Sequence, residues 1–517
     1  MPQIEQWTVF ETTLTSTEIC TDPFWELDVT VTFTGPSGVQ QTVNAFWDGG
    51  ATWRTRFMPS AVGAWQWTTT CTDPANSGLH AQSGAFDCRS YTGDNPLYQH
   101  GPLQLSADHR YLIHRDGTPF FWLADTAWNG ALKAQPKDWH TFLNARQAQN
   151  FTVIQFVGMQ WRACPVDRRG ESSFTGAEHV QINPQVFQRV DEQLTAINAR
   201  GMVAAPVLVW ALTDDDPGNA LSEADIIRLA QYQVARWGAY HVVWILGGDC
   251  DYLRDERVAK WERIGTAVFA QRHSQPVTMH PCGQNWGGAA FRGVDWFDFI
   301  SYQSGHGDSD EHLRWLVEGP PALHWADDPP LPIINLEPNY EGHPAYHSQT
   351  LFAADHMRRA AYWSLLIGPP AGVTYGHQAI WPWHEKPGIV LGHGDLATTA
   401  WTDSVEAPGA VQMGLLSSFF SQFEWWALRP APDLLADQPG ATDPAKFIAA
   451  AQTMDGQWAV IYTPVGDTLP LTAWALASVE FAQWFNPRTG AWRAATINNS
   501  GLTPPDELDW LLVLGKE

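Results

Sequence analysis

Positive charge is what this 517-residue chain has least of: 30 Lys and Arg stand against 55 Asp and Glu, a formal net charge of -25. Binding to nucleic acid or another polyanion needs clustered cations to replace counter-ions, so a neutral substrate is expected and nucleic acid is not a partner. Only six cysteines occur (Cys20, Cys71, Cys88, Cys164, Cys250, Cys282), without a CxxC pair or zinc-like spacing. Of these, Cys20, Cys71 and Cys88 lie close enough in sequence for one disulfide in an oxidising compartment. No apolar run approaches a membrane span, and the start Met-Pro-Gln-Ile-Glu-Gln-Trp-Thr has neither a basic nor an apolar leader segment. A cytoplasmic protein with reduced thiols, away from the membrane, is the resulting expectation. GxGxxG after a first strand, GxSxG and HExxH are all missing, which disfavours dinucleotide binding, a serine nucleophile and catalytic zinc. No metal and no cofactor are expected.

Tryptophan is abundant, with 29 residues. Most indoles fill cores, but the excess favours sugar chemistry, because indole faces stack on the C–H faces of sugar rings. Residues 1–92 alternate with period two between turn signals such as Gly35-Pro36-Ser37-Gly38, the pattern of a β-sandwich without helices. From 95 to 430 the pattern becomes strand, loop, helix. Eight near-continuous apolar strands are predicted (120–123, 152–156, 203–209, 242–246, 277–279, 297–301, 332–336, 372–374). Helical periodicity fills 136–149, 184–199, 222–238, 258–272 and 348–366. Strands buried on both faces and alternating with helices imply a parallel sheet, and eight units imply a closed (β/α)8 barrel. A further helix is expected at 412–426 and a linker at 430–444. Residues 431–517 return to short strands (458–462, 478–485 and 510–514), a second small β-sandwich. The fold class is therefore multidomain, a TIM barrel flanked by two β-sandwich domains.

Two acidic residues close apolar strands: Asp249 after Trp-Ile-Leu-Gly-Gly and Glu337 after Ile-Ile-Asn-Leu. The C-terminal strand ends form the catalytic face of such a barrel, and glycosidic cleavage needs two carboxylates, one to protonate the leaving oxygen and one to attack or stabilise the sugar cation. The plainer readings are a helix cap for Asp249 and an ion pair from Glu337 to Arg162 or Arg358. Asp125 is a third acid, either a hydroxyl ligand or a loop anchor. Trp128, Gln155, Trp161, Trp210, His280, Tyr302 and His377 stand at other strand ends and are expected, with Asp125, to line a sugar pocket.

The segments Phe46-Trp47-Asp48-Gly49 and Arg56-Phe57-Met58-Pro59 resemble the immunoglobulin-like domain that precedes many bacterial glycosidase barrels. Asp116-Gly117-Thr118-Pro119-Phe120-Phe121-Trp122-Leu123-Ala124-Asp125-Thr126-Ala127-Trp128 resembles the first barrel strand of the apiosidase-like glycoside hydrolases. Trp484-Phe485-Asn486-Pro487-Arg488-Thr489-Gly490 resembles the collagen-binding-type β-domain found at their C-termini. The resemblance implies a retaining glycosidase acting on plant- or microbe-derived oligosaccharides or glycosides, furanosides such as apiosides among them. Asp249 matches the family's acid/base and Glu337 its nucleophile, which sets an expected carboxyl separation of about 5–5.5 Å. Two readings compete: a non-catalytic carbohydrate-binding protein with a degenerate barrel, and a polysaccharide lyase.

Overall fold

The computed structural model describes residues 1–270, 275–477, 479–496 and 501–515. The N-terminal part is a sandwich. Strands Gln3–Glu5, Ser83–Arg89, Gly63–Cys71, Val29–Thr34 and Gln40–Asn44 form one sheet in that order, and Phe10–Thr15, Thr52–Phe57 and Phe46–Gly49 form the other. Between the sheets pack Phe10, Phe33, Phe57, Trp65 and Phe86, all buried. Contrary to the sequence reading, Pro23–Glu26 makes one helical turn here, with Pro23 at a first-turn position where its missing N–H costs nothing.

The barrel strands are β1 (Trp122–Thr126), β2 (Val153–Val157), β3 (Val203–Trp210), β4 (Trp244–Cys250), β5 (Val277–Pro281), β6 (Ile300–Tyr302), β7 (Ile333–Asn335) and β8 (Gly372–Gly376). They form one parallel sheet in the order β5-β4-β3-β2-β1-β8-β7-β6. Its two edges meet where the Asp298 N–H donates to the Val277 carbonyl at 2.9 Å and the Thr278 hydroxyl to that of Phe299 at 2.7 Å. Several strands run two to four residues beyond their expected ends. Asp125, His280 and Tyr375 are polar yet still pair in the ladder, and Asp249 lies unpaired within β4, so apolarity alone ends a strand too early.

The outer layer is α1 (Pro136–Ala148), α2 (Pro184–Asn198), α3 (Glu223–Trp237), α4 (Asp255–Val268), α5 (Asp310–Glu318), α6 (Ala354–Ile367) and α7 (Pro408–Phe420). Pro136, Pro184 and Pro408 start their helices where φ is already set. The unit after β5 has a single turn, Gly288–Phe291. The helix expected at 412–426 is α7, shifted towards its Pro start; the helix expected at 258–272 is α4, and Arg272 lies outside the described residues.

The C-terminal part is one six-stranded sheet, in the order Leu428–Pro430, Ala449–Thr453, Trp458–Thr463, Trp510–Gly515, Phe481–Phe485, Trp492–Ala494. Among the described residues its second layer is not another sheet. One face packs on the barrel, where Tyr362 of α6 stacks on Tyr462 at 5.0 Å and Phe419 of α7 meets Phe485 at 4.7 Å. The other face covers Leu434, Leu469 and Leu502. The segment read as a linker is thus packed chain, opening with a sheet strand and continuing through three 3-10 turns between 432 and 446. The strand expected to begin at Ser478 begins among the described residues at Phe481, and Ser478 itself lies outside them.

Charge holds both junctions. Asp191 on α2 accepts from Arg236 on α3 (2.9 and 2.7 Å), from Trp237 (2.8 Å) and from Arg56 of the sandwich (2.7 Å). Arg236 also reaches Asp48 of the sandwich at 2.8 Å and is fully buried. At the other end Arg358 on α6 grips Asp509 with two bonds of 2.7 and 2.8 Å. Replacing Asp191 by Ala leaves two buried guanidinium groups without their shared anion. We expect a loss of roughly 3–5 kcal/mol in denaturant unfolding; a change below about 1 kcal/mol would show that the remaining partners suffice.

Candidate active site

The two acids stand at strand ends in the barrel mouth, Asp249 on β4 and Glu337 just after β7, with β5 and β6 between them. In β4, Gly247-Gly248 gives the backbone room: a Cβ on Gly248 would stand 2.5 Å from the Trp210 ring. The β4–β5 pairing slips around Gly248, and Asp249 lies at φ 52°, in the left-handed region that Asp tolerates better than most residues. A bulge of this kind re-aims one side chain, and here it is the acid. Cys282 fixes the strained turn by donating to the Asp249 carbonyl at 2.9 Å. Glu337 follows β7, and the Gln155 amide donates 2.8 Å bonds to the Leu336 carbonyl and to Thr126, bracing the strand end from inside the barrel.

His280 stands between the acids, with Nε2 3.2 Å from Glu337 and Nδ1 3.9 Å from Asp249. A second histidine, His306, which the sequence reading missed, holds the other Glu337 oxygen at 3.1 Å. The Tyr340 backbone N–H donates to His306 Nδ1, so Nε2 carries the proton and donates to the carboxylate. Both acids and His280 are buried.

The electrostatics of the two acids diverge. Burial raises Asp249 to about 7, helped by the charge on Glu337 and opposed by His280 and Arg162. Burial would also raise Glu337, but the polar contacts of His280 and His306, with the charge of His280, outweigh it and hold this acid well below the ordinary range. For His280 burial disfavours the charged ring, yet Glu337 and then Asp249 reverse that and raise its pKa. One carboxyl is thereby kept protonated near neutrality beside one kept ionised.

Trp128, Trp161 and Trp210 form an aromatic wall: Trp210 lies 4.3 Å from Trp161 and 5.3 Å from Trp128, whose ring stands 5.3 Å from that of His280. Trp128 donates to the Tyr340 hydroxyl at 3.1 Å. The Trp210 indole N–H is buried without a protein partner among the described residues, a donor left for a ligand. The Arg162 guanidinium lies over this wall, 5.1 Å from Trp161, and is tied to buried Asp216 at 2.8 Å.

Three expected residues are not brought to the acids. Asp125 points outward to the helix layer and pairs with Arg146 of α1, both fully buried, so it anchors rather than binds sugar. Tyr302 also faces outward, 5.9 Å from Trp315 of α5. His377 packs against Gly342, with Nδ1 accepting from the Ala379 N–H at 3.0 Å, and makes no contact with either acid. The expected ion pairs of Glu337 with arginine do not form, since Arg162 goes to Asp216 and Arg358 to Asp509. All six cysteines are free. Among the described residues no three His, Cys, Asp or Glu side chains gather in a metal-holding group, and no helix is long and apolar enough to cross a membrane.

Comparison with known proteins agrees with this architecture. The family profile described as "Apiosidase-like, catalytic domain" matches residues 106–427. Residues 3–72 match a domain of unknown function, DUF5060, and residues 430–515 match the "Putative collagen-binding domain of a collagenase". Among solved structures, a glycoside hydrolase family 5 protein from Bacteroides vulgatus ATCC 8482 superposes with a TM-score of 0.72 at 21% identity, covering 82% of this chain and 95% of its own. Another, described as a glycoside hydrolase, gives 0.70 at 23% identity over 82% and 99%. A second Bacteroides vulgatus structure covers 100% of both chains with a TM-score of 0.71 at 16% identity. These likenesses establish the shared fold. No curated protein sequence matches the chain.

Proposed function

Because the chain belongs to the apiosidase-like family, we propose that it is a retaining glycoside hydrolase in which Asp249 is the general acid/base and Glu337 the nucleophile. The observation that carries this reading is the divergence of the two acids around His280, one raised to about 7 and one depressed. A general acid must hold its proton when the glycosidic bond begins to break, and a nucleophile must be ionised at the same moment. His280 and His306 keep the negative charge on Glu337, which in turn helps to keep the proton on Asp249. The aromatic wall of Trp128, Trp161 and Trp210 offers stacking surface for a sugar ring. Among substrates, glycosides or oligosaccharides of plant or microbial origin fit the family, furanosides such as apiosides included.

The test is a panel of aryl glycosides, furanosides among them, followed by NMR of the first-formed sugar. Retention of the anomeric configuration is expected. Inversion would remove Glu337 from the nucleophile role and place an activated water between the acids.

The pH profile follows from the same two groups. Asp249 works protonated, so kcat/KM falls as pH rises through about 7. Glu337 works ionised, so the acidic limb lies below the ordinary glutamate value of about 4.3. A basic limb near pH 4 would mean that Asp249 is not the acid. Replacing His306 by Ala removes a donor to Glu337 and should lower kcat about tenfold or more while moving the acidic limb upward; a fall in kcat with an unmoved acidic limb would assign His306 a different task.

A further inference from the structure

The loop after β8 carries a short hairpin, Gly388–Ile389 paired with Leu396–Ala397, whose tip crosses the mouth of the barrel. Two close approaches place it. Gly392 lies so close to the loop after β2 that a Cβ would stand 3.1 Å from the Arg162 backbone. Asp395 reaches the loop after β7, with Oδ2 3.8 Å from His343 Nε2. The His343 ring stacks on that of His306 at 4.3 Å, one ring away from Glu337. The tip therefore stands beside the acids and joins two sides of the mouth.

Its polar groups are set up for a ligand. His343 Nδ1 lies 2.7 Å from the Pro344 carbonyl, which can only accept, so Nδ1 holds the proton and Nε2 is a bare acceptor. Burial keeps this ring neutral, lowering its pKa to about 3. Two acceptors, His343 Nε2 and the Asp395 carboxylate, thus stand 3.8 Å apart, each able to accept from a different hydroxyl. Arg162 donates to His393 Nε2 at 2.9 Å, which leaves the proton of His393 on Nδ1, without a protein partner among the described residues. Acceptors and a donor side by side at one edge of an aromatic-walled site match the hydroxyls of one sugar.

We propose that the hairpin Gly388–Ala397 forms the blind end of the site, with Asp395 and His343 each accepting from a hydroxyl of a terminal sugar and His393 donating to another, so that the enzyme removes single sugars from chain ends. This rests on the glycosidase reading above.

The experiment uses the full chain, the aryl glycoside it cleaves, and an end-labelled oligosaccharide bearing the same sugar at its non-reducing terminus. The free monosaccharide is expected as the first product. Asp395→Ala and His393→Ala should each raise KM about ten- to a hundredfold with a smaller fall in kcat, and removal of residues 391–394 should let the enzyme cleave at an internal sugar. Asp395→Asn, which keeps the shape, covers the case in which Asp395→Ala fails to fold. Longer fragments as first products from the unaltered chain, or a KM within twofold in both single variants, would overturn the blind end while leaving hydrolysis itself in place. If the unaltered chain cleaves no glycoside, the glycosidase reading fails and this proposal falls with it.

Discussion

Glu337→Gln should lower turnover by at least about 10⁴-fold, because it deletes the group that forms the covalent sugar intermediate while keeping its volume. The fold should survive, although with less margin at neutral pH. Glu337 is held below its ordinary value, so its contribution to stability is present above the unfolded glutamate value of about 4.3 and fades as pH falls through the folded one. The amide cannot make that contribution, and the difference between the two proteins should shrink in acid. Glu337→Ala opens space for a small anion. With azide and an activated aryl glycoside it should form a glycosyl azide of inverted configuration, since azide attacks where the carboxylate would have done. An azide of retained configuration from this variant would exchange the roles of Glu337 and Asp249.

Asp249→Ala carries the second large effect, and its size should depend on the leaving group. Substrates with poor leaving groups need the proton and should slow by about 10²–10⁴-fold, whereas activated aryl glycosides should still form the intermediate and then stall at its hydrolysis. A uniform loss across leaving groups would remove Asp249 from proton transfer. The same residue has a stability consequence of opposite sign to that of Glu337. Its folded pKa is raised to about 7, so the ionised form is disfavoured in the native state, fully so above that pH. Asp249→Asn, which suits the left-handed backbone, should therefore raise the melting temperature at pH 8, with the gain shrinking towards pH 4. Carboxyl-selective NMR should also show the Asp249 pKa falling in Glu337→Gln, once the neighbouring charge is gone. No downward shift would break the coupling that links the two acids.

Asp249 and Glu337 could be found in the sequence because each ends an apolar run, and a buried acid at such a place needs a reason. Asp125 ends an apolar run just as clearly, and the difference is parity. Along β1, Trp122 and Thr126 face the barrel interior while Asp125 faces α1. Strands buried on both faces are apolar on both faces, so the sequence does not display which residues point inward. Tyr302 fails for the same reason: Ser301 takes the inward position, its hydroxyl bonded to the Met279 carbonyl, and Tyr302 turns to the helices. His306 was invisible for another. It lies in a loop four residues beyond the end of β6, where no periodicity constrains it, and only the Tyr340 backbone reveals its task. The hairpin at 388–397 reads as an unremarkable Gly-rich turn until its contacts with Arg162 and His343 are known. The eight strands, by contrast, were all legible, since each is an apolar run between loop signals.

The salt-linked junction around Asp191 bears on how such chains can be recombined. Arg236 belongs to the barrel, but one of its two acidic partners is Asp48 of the sandwich, and Arg56 of the sandwich spends its charge on the barrel's Asp191. Each group also has a partner in its own module, Arg54 for Asp48, Glu11 for Arg56 and Asp191 for Arg236, and the seam adds a second from across the junction. A barrel transplanted without its sandwich would expose a guanidinium built for burial, and a sandwich from another protein would have to bring an acid at position 48 and a base at position 56. Exchange of N-terminal modules within this group should succeed only when that pair travels with them, so the seam acts as an inheritance rule rather than as a mere contact.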